Sequence, residues 1–265
     1  MSKNITLSTL RSMPAAGEPI AALTAYDYSF AVAADAAGVD LVLVGDSLGM
    51  VIQGHASTVP VTVEEMVYHT QCVARGLKRA YLLADMPFLS DTDCQLALHN
   101  AALLIKQGGA DMVKVEACAE QAPIVEALSQ AGVPVCAHFG LRPQRVGQLG
   151  GYRVQGRNEA EAAQLLADAD ALQAAGADLL LIECLSASTT AKIQARVDVP
   201  LIGIGAGADC DGQILVLQDM LGITPGRKPT FSHDFLQDTE SVADALAAYV
   251  KAVKTRQFPS AEHSF

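Results

Sequence analysis

Short apolar runs, most of them led by glycine and closed by an acid, recur along the chain. Residues 38–46 read GVDLVLVGD, 109–116 GADMVKVE and 176–183 GADLLLIE, and a fourth version, YLLAD, spans 81–85. Continuous Leu, Val and Ile without polar alternation mark strands covered on both faces, which belong to parallel sheets. The pattern predicts strands at 20–26, 41–46, 81–86, 112–117, 133–139, 178–184, 200–206 and 214–220. Between them lie amphipathic stretches at 28–37, 63–78, 92–107, 119–130, 158–175, 187–196 and 239–254, and 7–16 predicts a short leading helix ended near Gly17. Strands and helices in strict alternation over 265 residues close most economically into a (β/α)8 barrel with right-handed crossovers. An open doubly wound sheet is the alternative. Its dinucleotide fingerprint G-x-G-x-x-G is missing, since the first strand leads into Tyr26, Asp27 and Tyr28. No linker or composition break divides the chain, so residues 1–265 are expected to form one barrel domain with a short N-terminal helix and a C-terminal tail.

Composition narrows the function classes. The chain is 51% hydrophobic with mean hydropathy +0.26, yet no apolar run approaches the roughly 18 residues of a spanning helix. MSKNITLSTLRSM lacks the apolar core of a secretory signal, so a soluble cytoplasmic protein is expected. The six cysteines form no C-x-x-C pair and are expected to be reduced, and the His and Cys spacing offers no zinc site. A net charge of −11 argues against nucleic acid and anionic membrane as partners.

The acids carry the chemistry. Asp40, Asp111 and Asp178 precede their strands, whereas Asp46, Asp85, Glu116 and Glu183 follow theirs, and active sites of such barrels sit at the C-terminal strand ends. One acid there could simply cap a helix; four at equivalent positions point to a shared site. Such a cluster needs a cation, and Lys114, two residues before Glu116 on one strand face, is the lysine available. A few oxygen ligands suit Mg2+, which takes one or two carboxylates and fills its shell with water and substrate oxygens. An α-keto acid would chelate such an ion, and a nearby carboxylate could remove the proton next to the polarised carbonyl. Glu183, behind the apolar run Leu179–Ile182, is the expected base, with its pKa raised by that setting.

Longer strings add a resemblance. TAYDYSFA (24–31), GDSLGMVIQGH (45–55), PVTVEEMVYHT (60–70), LLADMPF (82–88), MVKVE (112–116), GGYRVQGR (150–157), IGIGAG (202–207), DGQILVLQDMLGITPG (211–226) and the terminal EHSF are similar to ketopantoate hydroxymethyltransferases. That resemblance implies a (β/α)8 barrel that moves a one-carbon unit from 5,10-methylenetetrahydrofolate to 3-methyl-2-oxobutanoate, giving 2-dehydropantoate for pantothenate synthesis. It implies one Mg2+ per subunit at Asp46, Asp85 and Glu116, keto-acid contacts from Asp46, Ser47, Asp85 and Lys114, and Glu183 as proton acceptor. It also implies a cytoplasmic homodecamer. The chain departs from the family pattern at Ala117 and Cys118, where glycines are expected, and at Ala56, where Asp is common.

Other features have plainer readings beside functional ones. His138 ends the fifth strand, as a core histidine or a site residue. GIGAG (203–207) lets backbone approach a ligand, with Asp209 and Asp211 disfavouring phosphate. The long segment 140–157 carries Arg142, Arg145, Arg153 and Arg157, either for the glutamate tail of a folate or as a solvated or subunit face. Competing readings are an isocitrate lyase or phosphoenolpyruvate mutase type enzyme, a Schiff-base aldolase using Lys114, and a catalytically silent barrel.

Overall fold

The computed structural model describes residues 4–149, 151, 153–226 and 228–265. Eight parallel strands, β1 (Ile20–Thr24), β2 (Leu41–Val44), β3 (Tyr81–Asp85), β4 (Met112–Glu116), β5 (Val135–Gly140), β6 (Leu179–Glu183), β7 (Leu201–Ile204) and β8 (Gly212–Leu215), close into a barrel in chain order. Around it run α1 (Leu7–Ser12), α2 (Tyr28–Ala37), α3 (Leu48–Val51), α4 (Val63–Gly76), α5 (Cys94–Lys106), α6 (Ala122–Gln130), α7 (Val146–Leu149), α8 (Glu159–Ala174), α9 (Ala187–Gln194), α10 (Leu217–Met220) and α11 (Val242–Lys254). The long helices start where a polar side chain takes a free N–H: Asp27, Thr62, Asp93, Asn158 and Ser241 each accept from the first turn.

Strand eight departs from its predicted span. The run 214–220 is uniformly apolar until Gln218, so its pattern cannot tell strand from buried helix. The strand starts earlier, at Gly212, because it must lie against β1: a Cβ at Gly212 would stand 2.5 Å from the Ile20 carbonyl oxygen. It ends at Leu215, and Thr24 Oγ1 takes the Leu217 N–H as α10 begins. Helix α11 lies over the β1–β8 seam, with the Tyr249 hydroxyl donating to the carbonyls of Ala22 and Gln213.

The acids before the strands have a structural task. Asp40, Asp111, Asp178 and Asp211 accept the backbone N–H of Ala21, Leu82, Val135 and Leu201, each near the start of the preceding strand. The bottom rim is thereby pinned at every second strand, consistent with the stability role of that face. Asp211 belongs to this rim, through its bond from the Leu201 N–H. All six cysteines are free, and Cys136, Cys184 and Cys210 are buried. No helix among the described residues is long and apolar enough to cross a membrane.

Parallel partners share a barrel face, so register decides which side chains meet. Asp85 pairs with Lys114, Lys114 with Cys136, Glu116 with His138, His138 with Leu181, and Gly140 with Glu183. Below them the same inward rows hold Ala22, Leu41, Leu83, Met112 and Ile202, a packed apolar floor. Polar chemistry is therefore confined to the C-terminal mouth.

Candidate active site

Each expected residue reaches that mouth from a different rung. Asp85 and Glu116 are the last residues of β3 and β4, and Lys114 lies two before Glu116 on the same inward face. Asp46 stands two residues beyond β2, where its N–H donates to Asp85 Oδ2 at 2.9 Å. Ser47 follows and shares a hydrogen bond with the Tyr26 hydroxyl at 2.9 Å. Glu183 closes β6, and Cys184 after it takes a left-handed backbone (φ 52°) that only a tightly held turn tolerates in a non-glycine residue. Across the pair, Gly140 cannot carry a side chain: its Cβ would lie 2.2 Å from Leu185 Cδ1 and 2.7 Å from the Glu183 carbonyl oxygen.

Charge in this mouth is unbalanced. Asp46, Asp85, Lys114, Glu116 and His138 are all buried, while Glu183 keeps 15% of its side chain exposed toward the opening. Lys114 Nζ lies 3.0 Å from Asp85 Oδ1, an ion pair without hydrogen-bond alignment, so Oδ1 has no hydrogen-bond partner among the described residues. Burial alone would lower the Lys114 pKa, but Asp85, Glu116 and Asp46 outweigh it and raise it, keeping the ammonium charged. Burial and then the Asp85 charge push Asp46 up to about 7, against Lys114 and a hydrogen bond from Gln144. Glu116 is raised well above its ordinary value, chiefly by burial, with Asp46, Glu183 and Asp85 adding to it and Lys114 opposing. Glu183 rises to about 8 through burial, reinforced by Asp46 and Asp85 and opposed by Lys114, in line with the expectation from its apolar strand.

His138 belongs to the site. Its Nδ1 is 3.2 Å from Lys114 Nζ and its Nε2 is 3.3 Å from Glu183 Oε2, the latter out of hydrogen-bond alignment. Burial, Lys114 and Arg142 hold its pKa well below the usual histidine range, so the ring is neutral. With a charged ammonium facing Nδ1, that nitrogen must accept, and the proton sits on Nε2. Gln144 was not foreseen: it is buried, its Nε2 donates to Asp46 Oδ2 at 2.8 Å and to the Met86 carbonyl at 2.9 Å, and its N–H reaches Glu116 Oε2 at 3.2 Å. Two further acids line the mouth, Asp91, pushed up to about 6 mainly by burial, and the buried Asp219, raised by burial and bonded by Thr224. No run of apolar residues delivers Asp91 or Gln144, so the strand-end signal could not mark them.

The acids do not form a finished cage. Among the described residues no three His, Cys, Asp or Glu side chains stand together as a ready metal-holding group. What the donor set offers is a pair of hard carboxylates, Asp46 and Asp85, repelling each other with Asp85 Oδ1 unbonded.

Two other expectations change. The GIGAG backbone meets protein: Phe231 packs on Gly205 and Cys210 on Gly203. Segment 140–157 is not bare loop, since Pro143–Arg145 is a 3-10 turn, α7 follows, and Gln155 bridges Leu185; Gly150 and Tyr152 lie outside the described residues. Ala117 and Cys118, the departures after β4, line a cavity of about 170 Å3 with Arg142, Gln155 and Asp168.

Solved structures share the fold. A phosphoenolpyruvate phosphomutase from Streptomyces platensis superposes with TM-score 0.62 at 16% identity, covering 82% of each chain. A phosphonopyruvate hydrolase in complex with oxalate and Mg2+ gives TM-score 0.62 at 15% identity over 82% of this chain and 81% of its own. At that identity the likeness carries the barrel alone. Sequence relatives carry more. The protein named 3-methyl-2-oxobutanoate hydroxymethyltransferase from Alkalilimnicola ehrlichii is 59% identical over 98% of this chain and 94% of its own, and its namesake from Halorhodospira halophila is 56% identical over the same shares. The family model described as ketopantoate hydroxymethyltransferase matches residues 4–261, and the chain belongs to that family.

Proposed function

We propose that the chain transfers a one-carbon unit from 5,10-methylenetetrahydrofolate to C3 of 3-methyl-2-oxobutanoate, giving 2-dehydropantoate, with Mg2+ at the mouth. The observation that carries this reading is the charge imbalance: four acids around one buried lysine, with Asp46 and Glu183 raised to about 7 and about 8 by burial and mutual repulsion. A divalent cation would relieve it, and one or two carboxylates are what Mg2+ takes from a protein. Asp46 and Asp85 would hold the ion, with Glu116 beside them. Bound there, Mg2+ supplies Lewis acidity that polarises the keto carbonyl and acidifies the C3–H bond.

The chain's own groups do the rest. Lys114, charged and flanked by Asp85, attracts the keto-acid carboxylate, and the Ser47 hydroxyl, oriented by Tyr26, donates to a substrate oxygen. Glu183 takes the C3 proton, one water releases the methylene carbon from both folate nitrogens as formaldehyde, and the electron pair left on C3 adds to that carbon, whose oxygen takes up the proton as the new hydroxyl. Neutral His138 lies beside the base, its Nε2 3.3 Å from Glu183 Oε2. A lysine held in its charged form is a poor Schiff-base nucleophile. Borohydride reduction with keto acid in EDTA is therefore expected to leave Lys114 unmodified; a covalent adduct on it would favour the aldolase reading.

The folate carries an anionic tail, and Arg153 and Arg157, in the segment between β5 and α8, are both exposed. Charge reversal of both to Glu is expected to raise the folate KM by about tenfold while leaving the keto-acid KM unchanged. Steady-state kinetics with each substrate varied decides this, and unchanged constants for both would assign the arginines to another surface. The same reading carries a cytoplasmic homodecamer, for which exposed Tyr28 and Val32 on α2 and Tyr68 on α4 provide apolar surface.

A further inference from the structure

We infer that Gln144 is the positioning residue of the cation site: it fixes the separation of Asp46 and Glu116 and orients Asp46 so that its free oxygen faces the ion. The inference rests on the cation reading above. Its own basis is the wiring of one neutral residue to two acids that are far apart in sequence, to Asp46 through its side chain and to Glu116 through its backbone N–H. Gln144 Nε2 has two protons, and both are used, one on Asp46 Oδ2 at 2.8 Å and one on the Met86 carbonyl at 2.9 Å. The amide orientation is forced, because an oxygen in that place would face two acceptors. The backbone N–H of the same residue lies 3.4 Å and 3.2 Å from the two oxygens of Glu116.

The pattern leaves specific lone pairs over. No hydrogen bond among the described residues engages Asp46 Oδ1, and Asp85, held through Oδ2 by the Asp46 N–H, has its Oδ1 unbonded. Each aspartate thus has one oxygen fixed by a neutral donor; the other is without a hydrogen bond, open in Asp46 and facing the Lys114 ammonium at 3.0 Å in Asp85. Ligating carboxylates oriented in this way by outer partners bind metal more tightly, and loss of such a partner weakens affinity by about 10- to 100-fold.

The residue type follows from the charge. Lysine or arginine at 144 would neutralise Asp46 and compete with the ion, whereas glutamate would add a further acid to a site already in surplus. Gln144 donates without changing the count. Its own burial, at 7% exposure, makes its place well defined, since an amide in that setting must keep its partners. The 3-10 turn Pro143–Arg145 that carries it leaves directly from β5, so the rigid strand bearing His138 also aims Gln144.

The test is calorimetric titration of the ion-free protein with MgCl2, comparing wild type, Gln144→Met and Gln144→Ala. Methionine keeps the bulk and loses the side-chain donor; alanine guards against misplacement of the larger apolar group. The Mg2+ Kd is expected to rise about 10- to 100-fold in both variants. Proton exchange at C3 of the keto acid is expected to recover toward the wild-type rate at saturating ion. A residue that merely packed would lower Tm and leave the Kd of the folded protein unchanged, and that result would overturn the inference. Wild-type protein that takes up no Mg2+ would instead remove the cation reading, and this inference with it.

Discussion

Glu183→Gln is expected to lower one-carbon transfer by about 10²- to 10⁴-fold, the usual worth of a general base, with keto-acid binding retained. The amide keeps the size of the side chain and cannot take the C3 proton. The same change is expected to make the protein more stable at alkaline pH. The Glu183 pKa is raised from 4.5 to about 8 by burial, so the folded state holds a proton that the unfolded chain releases. Its stabilisation is present in full below 4.5 and is lost as pH rises through 8. Glutamine has no such loss, so the stability of the variant relative to wild type should grow between pH 5 and pH 9. Urea unfolding across that range checks this. A variant that kept wild-type transfer would remove Glu183 as the base.

Lys114→Met is expected to have the largest effect on the fold. Taking one partner from a buried ion pair costs about 3–5 kcal/mol, because it leaves an uncompensated charge in a low-dielectric site. Here the stranded neighbours are Asp85 at 3.0 Å together with Asp46 and Glu116. The pH dependence has a definite sign. Without the ammonium, Asp46 and Glu116, already raised, move higher still, so the folded variant favours their protonated forms. Stability held by those protons is complete below the unfolded carboxylate range and is lost as pH climbs through the raised values. The gap between wild type and variant is therefore small near pH 5 and full near pH 8. Equal loss at both pH values, measured by denaturant unfolding, would mean that Lys114 contributes packing and not charge.

Much of this was written in the local pattern. Strands such as LVLV, MVKVE and LLLIE are short, apolar and glycine-led, and in a parallel sheet nothing but a two-faced burial produces that run. Asp85, Glu116 and Glu183 were legible because a charge at the end of such a run has only the mouth to occupy. Strand eight was legible in existence and not in extent, since the apolar run Ile214–Leu217 passes from the strand into α10 without a break and only contact with Ile20 and Thr24 separates the two. Gln144 was not legible at all. A neutral amide in a connecting segment has no periodicity to betray it, and its bond to Asp46 spans 98 residues of sequence. His138 could be assigned to the strand end but not to a role, because its neutrality depends on burial first and then on Lys114 and Arg142, all of which only folding supplies.

The joint action of ion and base is tested most directly by following the C3 proton of 3-methyl-2-oxobutanoate by NMR in D2O, with the wild-type protein and no folate. Exchange is expected to run with Mg2+, to stop in EDTA, and to rise with pH toward the Glu183 value, with the bound cation drawing that midpoint lower. Exchange at the same rate with and without the ion would contradict the account.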